Sequence, residues 1–366
     1  MKIAYIANAL LPSETANSVH VARMVAALAR QSVDVKLFAR TTGQGDLSEI
    51  AAFYGLRSTF PARLFRQDGA WDKRSWRWRS VFQAWREGRI VMTRDLRVAA
   101  MASRILPTFM ELHHPPTGAR GHQRLARVIA QGGTLITITS ALADFVAREW
   151  QVSRDAIHVL QDGADPVDTL PTPAELHRGR VLCGYAGSLL QGKGAERVGQ
   201  LAALCPDVDF VVVGGPEERR LELTSQYPQQ NLRWLPRVAP AEIPGIIAAF
   251  DVALLPNAAK VATHGNAALD IGQWTSPLKA FEYMALERAI VVSDLPNLRE
   301  VFHADNAVLC PVDDIAAWQA AILRLAQDPE LRARLGQAAR HDLETLYSWD
   351  CRAAQMVRLF AARGPQ

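Results

Sequence analysis

The sequence predicts an α/β chain of two Rossmann-like domains, on three observations. Short β-branched apolar runs alternate with longer helix-period segments, that series occurs twice, and a Pro- and Asp-rich stretch separates the two occurrences. The first series places strands at Lys2–Ala7, Asp34–Ala39, Arg89–Thr93, Thr108–Leu112, Thr134–Thr139 and Ile157–Leu160. The second places them at Val181–Ala186, Asp209–Val213, Asn231–Leu235, Val252–Leu255, Ile290–Ser293 and Ala307–Leu309. Between them, residues 162–173 carry three prolines and three aspartates, which sustain neither helix nor sheet, and read as the interdomain linker. The expected domains are therefore 1–165 and 175–346. The amphipathic segment after Ser348, about 349–366, is expected to pack back onto the first domain.

A length of 366 residues suits two such domains with a cleft between them. No apolar run approaches the ~18 residues of a membrane span, and the first twenty residues lack a small-residue cleavage site. The cysteines, Cys183, Cys205, Cys310 and Cys351, sit apart in apolar segments without C-x-x-C pairing, which predicts reduced thiols, a cytosolic location and no zinc site. The formal net charge is only +4, so attraction to a phosphate-rich partner must come from local clustering.

One such cluster is Thr275-Ser-Pro-Leu-Lys-Ala-Phe-Glu282. Ser276 suits an N-cap and Pro277 a first helical residue, so a helix is expected to start at Ser276. Its amides at Leu278 and Lys279, its positive dipole end and the Lys279 ammonium suit a diphosphate. Glu282, further along the helix, suits the two hydroxyls of a ribose. An ordinary i,i+3 surface ion pair between Lys279 and Glu282 accounts for the same spacing. A second cluster is the strand Val181–Ala186 running into Gly187-Ser-Leu-Leu-Gln-Gly-Lys-Gly194, where glycines let amides approach an anion and Lys193 can neutralise it. Gly187 to Lys193 also fits the first part of a P-loop. A P-loop requires a Ser or Thr after the lysine, and Gly194 stands there.

Together these segments resemble the large retaining glycosyltransferase family, the group 1 or family 4-like enzymes, whose second domain carries a Glu-x7-Glu motif. Further resemblance lies, in order, in Thr15–Val21, Thr93-Arg-Asp95, Glu111-Leu-His113, Ile138-Thr-Ser140, Leu160-Gln-Asp-Gly163, Tyr185-Ala-Gly-Ser188, Lys193-Gly194 and Ser293-Asp-Leu-Pro296. The resemblance implies the GT-B architecture, two Rossmann-like domains facing each other across a cleft. It also implies transfer of a sugar from a nucleoside diphosphate sugar to an acceptor hydroxyl with retention of configuration, and no resident cofactor or metal. By resemblance Glu282 binds the ribose, Lys193, Leu278 and Lys279 the diphosphate, and His113 lies beside the transferred sugar. Asn17 and His20, at the first strand-to-helix turn, and Gly187 and Ser188 join this expected sugar-nucleotide site. Two departures stand out. Trp274 occupies the position of the first glutamate, and Ser188 a position where many members have arginine. The loop from Ala258 to Gln273, with Lys260, His264, Asn266 and Asp270, could supply sugar contacts instead, although a solvated polar loop is its ordinary reading.

Between Arg57 and Arg104 there are twelve basic residues against four acidic ones, interleaved with Trp71, Trp76, Trp78 and Trp85. Lys73, Arg74, Arg77, Arg79 and Arg94 are the expected acceptor side, suited to an anionic membrane surface or a lipid-linked acceptor. A solvated arginine-rich segment with core tryptophans fits equally. No nucleic-acid-binding module is recognisable. A sugar-nucleotide epimerase or hydrolase, a P-loop-like nucleotidase and a non-catalytic two-lobed binding protein are the alternatives.

Overall fold

The computed structural model describes residues 1–68, 70–262 and 270–363; the side chains of residues 70, 71, 73 and 74 lie outside the description. The chain divides into two units, one of Met1–Asp162 with Trp349–Gln366, the other of Gly163–Ser348.

The first unit carries seven strands, β1 (Lys2–Leu10), β2 (Asp34–Thr41), β3 (Ala62–Arg66), β4 (Ile90–Thr93), β5 (Thr108–Leu112), β6 (Thr134–Thr137) and β7 (Ile157–Val159). They pair in parallel in the order β3-β2-β1-β4-β5-β6-β7. Helices α1 (Ala16–Arg30), α2 (Leu47–Tyr54), α3 (Ala70–Arg86), α4 (Leu96–Ala102), α5 (Gly118–Ala130) and α6 (Ser140–Trp150) make the crossovers. The order reverses between β1 and β4, so the residues leaving those two strands flank the switch point at which open α/β sheets bind ligands. The edge strand β3, unmarked in the sequence reading, alternates arginine with apolar residues as Ala-Arg-Leu-Phe-Arg, and only Phe65 is buried. Charges on an edge strand hide its pattern while protecting the open edge.

The second unit repeats the plan with β8 (Leu182–Ala186), β9 (Asp209–Val213), β10 (Leu232–Leu235), β11 (Val252–Leu255), β12 (Ala289–Ser293) and β13 (Val308–Cys310), paired in parallel as β10-β9-β8-β11-β12-β13. Helices α7 (Ala195–Leu204), α8 (Glu217–Gln226), α9 (Ile243–Ala248), α10 (Leu278–Ala285), α11 (Ile315–Gln327) and α12 (Pro329–Asp342) cover it. Side chains of β9 alternate between two cores, Val211 and Val213 with α10 residues Ala280, Phe281 and Met284, and Phe210 and Val212 with Val198 and Leu201 of α7. That division explains the uninterrupted apolar strands: a parallel sheet is buried on both faces. The last helix, α13 (Trp349–Ala362), belongs to the first unit, where it packs on α1. Cys183, Cys205 and Cys310 are buried free thiols. Among the described residues no helix is long and apolar enough to cross a membrane.

Candidate active site

In the second unit the switch point lies between β8 and β11, and the turn leaving β8 is shaped by glycine. Gly194 caps α7 with φ 94°, and a Cβ there would sit 2.1 Å from the Pro256 carbonyl oxygen. Only glycine fits. The turn does not present every amide that the sequence suggests. The Gly187 N–H donates to the Val213 carbonyl and the Lys193 N–H to that of Leu190, so at these two positions the backbone is spent on the turn itself.

The charge comes instead from side chains. Lys279, on the first turn of α10, is buried, and its Nζ has no hydrogen-bond partner among the described residues. The ammonium lies 3.7 Å from the centroid of the Tyr185 ring on β8 and against Gly187, 3.4 Å from where a Cβ would stand. Tyr283 fixes this approach, since its hydroxyl accepts from the Ala186 N–H at 2.9 Å and ties α10 to the end of β8. Burial, then repulsion from Lys193, pushes the Lys279 ammonium well below the usual lysine range, and burial lowers Lys193 to about 8. A buried Lys279 beside a half-buried Lys193 that repels it is an arrangement suited to an anion. Glu282 stands one turn further along α10, half-buried. The surface ion pair that would explain Lys279 and Glu282 without a ligand does not account for a buried ammonium.

Two details differ from the sequence reading. Helix α10 starts at Leu278, with Pro277 in the cap position at φ −79° and ψ 121° and no side-chain cap, so Ser276 is not the cap. A proline's fixed φ combined with an extended ψ delays helix entry by a residue, and Leu278 and Lys279 become the first two helical amides. Asp270 accepts from the Val261 and Gly272 N–H groups at 2.9 and 2.8 Å. Its Oδ1 is taken up in holding its own loop. Lys260 is exposed, and His264 and Asn266 lie outside the described residues. Ser188 is half-buried, its carbonyl taking the Tyr185 hydroxyl.

The first unit gathers a different set at the carboxyl ends of β1, β4 and β5. Glu111, on β5, is fully enclosed; its Oε1 lies 2.5 Å from His113 Nε2, 3.1 Å from His20 Nε2 and 3.7 Å from Arg94 Nε, and its Oε2 takes Arg352 Nη2 of α13 at 2.8 Å. His20 Nδ1 faces Asp162 Oδ1 at 2.9 Å. Burial alone would raise the Glu111 carboxyl, but Arg352, His20 and the His113 hydrogen bond outweigh it and hold Glu111 well below the usual carboxylate range. Burial, followed by the neighbouring Arg94, lowers His113 to about 3, so the ring is neutral at ordinary pH. His20, expected at the sugar-nucleotide site, is 1% exposed and spent between two carboxylates. Asn17 bonds the Asn8 carbonyl. The spacing of His20, Glu111 and His113 could hold a metal ion, yet two guanidiniums already neutralise this pocket, which weakens its case as a cation site.

Arg94 turns into this network, away from the surface role expected of it. Arg77 and Arg79 are likewise half-buried and paired, with Asp95 at 2.7 Å and with Asp72. The side chains of Lys73 and Arg74 lie outside the description. Among its described side chains, α3 exposes Arg86 and an aromatic stripe. Trp76 faces the core, while Trp78, Phe82 and Trp85, at i, i+4 and i+7, are each about half exposed. Glu111, Asp162 and Arg352 escaped the sequence reading as site residues. The available signal for Arg352 was its place on the buried stripe of α13, with Trp349, Ala353, Met356 and Phe360.

Residues 195–358 match the family model described as glycosyl transferase-like. A phosphatidyl-myo-inositol mannosyltransferase from Mycolicibacterium smegmatis is 29% identical over 163 residues, 44% of this chain and 38% of that protein. The match thus spans well under half the relative's length. Among solved structures, HepE from Anabaena in complex with UDP superposes with a TM-score of 0.73 at 16% identity over 99% of this chain and 100% of that one. A sucrose-phosphate synthase from Thermosynechococcus elongatus gives 0.71 at 18% identity, over 99% and 98%. At such identities the likeness is one of fold. The chain thus has the GT-B architecture of two Rossmann-like units, and its residues 195–358 are similar to the glycosyl transferase-like family.

Proposed function

We propose that this protein transfers a glycosyl unit from a nucleoside diphosphate sugar to an acceptor hydroxyl, with the anomeric configuration retained. The observation that carries the reading is the buried, unpartnered Lys279 ammonium pressed on the turn after β8. An enclosed ammonium without a hydrogen-bond partner is costly unless a ligand supplies one. A diphosphate does so, and the HepE structures that hold UDP and UDP-glucose belong to a protein of this fold. Lys193, Lys279 and the first amides of α10 would stabilise the charge developing on the leaving diphosphate, so that no metal ion is needed as Lewis acid. Glu282 would take the ribose hydroxyls, and His113 would belong to the sugar side. Trp274, in place of the first glutamate, would leave the sugar without that carboxylate.

The acceptor in this reading is a glycan or a lipid-linked glycoconjugate intermediate. The exposed stripe of Trp78, Phe82 and Trp85, with exposed Arg86 beside it, would rest the protein peripherally on an anionic cytoplasmic membrane face. The experiment is incubation with a panel of sugar nucleotides, with and without glycolipid extract and with and without EDTA, reading nucleoside diphosphate release and the anomeric configuration of the product. Acceptor-dependent, EDTA-resistant release with retention is expected. Release independent of acceptor would favour a hydrolase, and release abolished by EDTA would remove the lysine-based account of the leaving group.

A further inference from the structure

The network around Glu111 dictates which nitrogen of His113 carries the proton. The Glu111 carboxylate is ringed by Arg352 at 2.8 Å, His20 at 3.1 Å and Arg94 at 3.7 Å, and the Tyr5 side chain is buried in the same core. Ionised, it has no proton to give and acts only as an acceptor. The hydrogen bond to His113 Nε2 therefore runs from the imidazole to the carboxylate. A neutral ring with its proton on Nε2 has a bare lone pair on Nδ1. The His113 side chain is 17% exposed, and Nδ1 has no hydrogen-bond partner among the described residues.

We infer that Glu111 is a positioning residue that locks His113 in the Nε2–H tautomer, so that His113 meets its substrate through Nδ1 as a hydrogen-bond acceptor and selects a hydroxyl that donates to it. The identity of that hydroxyl, on the transferred sugar or on the acceptor, rests on the glycosyltransferase reading; the tautomer does not. His20 is the second layer of the device. Lodged between Asp162 and Glu111, it meets the carboxylate at Oε1, while Arg352 of α13 holds Oε2. The logic is that of other carboxylate–histidine pairs, in which the carboxylate sets the tautomer and the far nitrogen works.

The test needs no substrate. Nitrogen-15 NMR of histidine-labelled protein, with the His113 signals assigned through His113→Asn, reads the protonation of each ring nitrogen directly. The expected result is a protonated Nε2 and an unprotonated Nδ1 that persists from pH 8 to pH 5. A protonated Nδ1 in the wild type overturns the proposal. In Glu111→Gln the side-chain amide can either accept or donate, so a mixture of tautomers is expected, together with at least a tenfold loss in kcat/KM. Because that substitution leaves Arg352 without its carboxylate, the Glu111→Gln/Arg352→Met double variant serves as the folded comparison. An unaltered tautomer in the double variant also overturns the role of Glu111. A wild-type tautomer as expected in a protein that turns over no sugar nucleotide would leave the positioning intact and reject the transferase reading alone.

Discussion

The Lys279 ammonium sits 3.7 Å from the centre of the Tyr185 ring, enclosed and without a hydrogen-bond partner among the described residues. The face of the phenol offsets part of the cost of burying the charge, but the larger part is left for a ligand. The folded-state pKa of Lys279 lies below its unfolded value. Between the two values the unfolded chain binds more protons, stability rises with pH, and at neutral pH the buried lysine is a net cost. Lys279→Met, which keeps the unbranched stem, is expected to stabilise the ligand-free protein by about 1–3 kcal/mol while weakening nucleoside diphosphate binding at least tenfold. Urea denaturation and calorimetry check the two halves. A destabilised variant that binds normally would contradict the assignment.

Lys193 gives a pH dependence. Its ammonium, lowered to about 8 by burial, is progressively lost between pH 7 and pH 9. Only the charged form attracts a phosphate, so nucleoside diphosphate affinity should fall over that interval, and it should fall less in Lys193→Met. Affinity constant from pH 7 to pH 9 in the wild type would place Lys193 away from the anion.

Arg352 bonds both the Glu111 carboxylate and the Gln161 carbonyl, at 2.8 Å each. Arg352→Leu leaves a buried carboxylate facing its histidines with Arg94 alone at 3.7 Å. A loss of about 3–5 kcal/mol is expected, as for other broken buried pairs, and adding Glu111→Gln should recover part of it. Equilibrium denaturation of the single and double variants checks both; equal stability of wild type and Arg352→Leu would show that α13 is held by its apolar stripe alone.

The aromatic face of α3 is tested with vesicles. Substituting Trp78, Phe82 and Trp85 by serine removes exposed rings, so stability should change little. Co-sedimentation with anionic vesicles at low salt should drop several-fold, with sugar-nucleotide binding unchanged. Wild-type protein that ignores anionic vesicles would remove membrane docking from the account.

The sheets were legible because a parallel strand buried on both faces is an uninterrupted apolar run: β5, β9 and β11 have the bounds their sequences imply. Strand β3 was not, because arginines on an open edge look like loop. Lys279 and Glu282 were legible as a pair on a helix, since three positions make one turn. The Glu111 network was hidden by sequence distance. Glu111 and Arg352 are 241 positions apart, and nothing local to either tells of the other. Asp270 shows the opposite limit: nothing local in the sequence tells that its Oδ1 takes two amides of its own loop.

The most direct measurement is calorimetric titration of wild-type protein and of Glu282→Gln with the nucleoside diphosphates of common sugar donors, at pH 7 and without metal. One of them should bind the wild type, and the substitution, which replaces the carboxylate proposed to take the ribose hydroxyls by a neutral amide, should weaken it by about 1–3 kcal/mol with the fold unchanged. Equal affinity of a folded Glu282→Gln variant for every nucleotide, or no binding by the wild type at all, would contradict a sugar-nucleotide site on the β8 turn and α10.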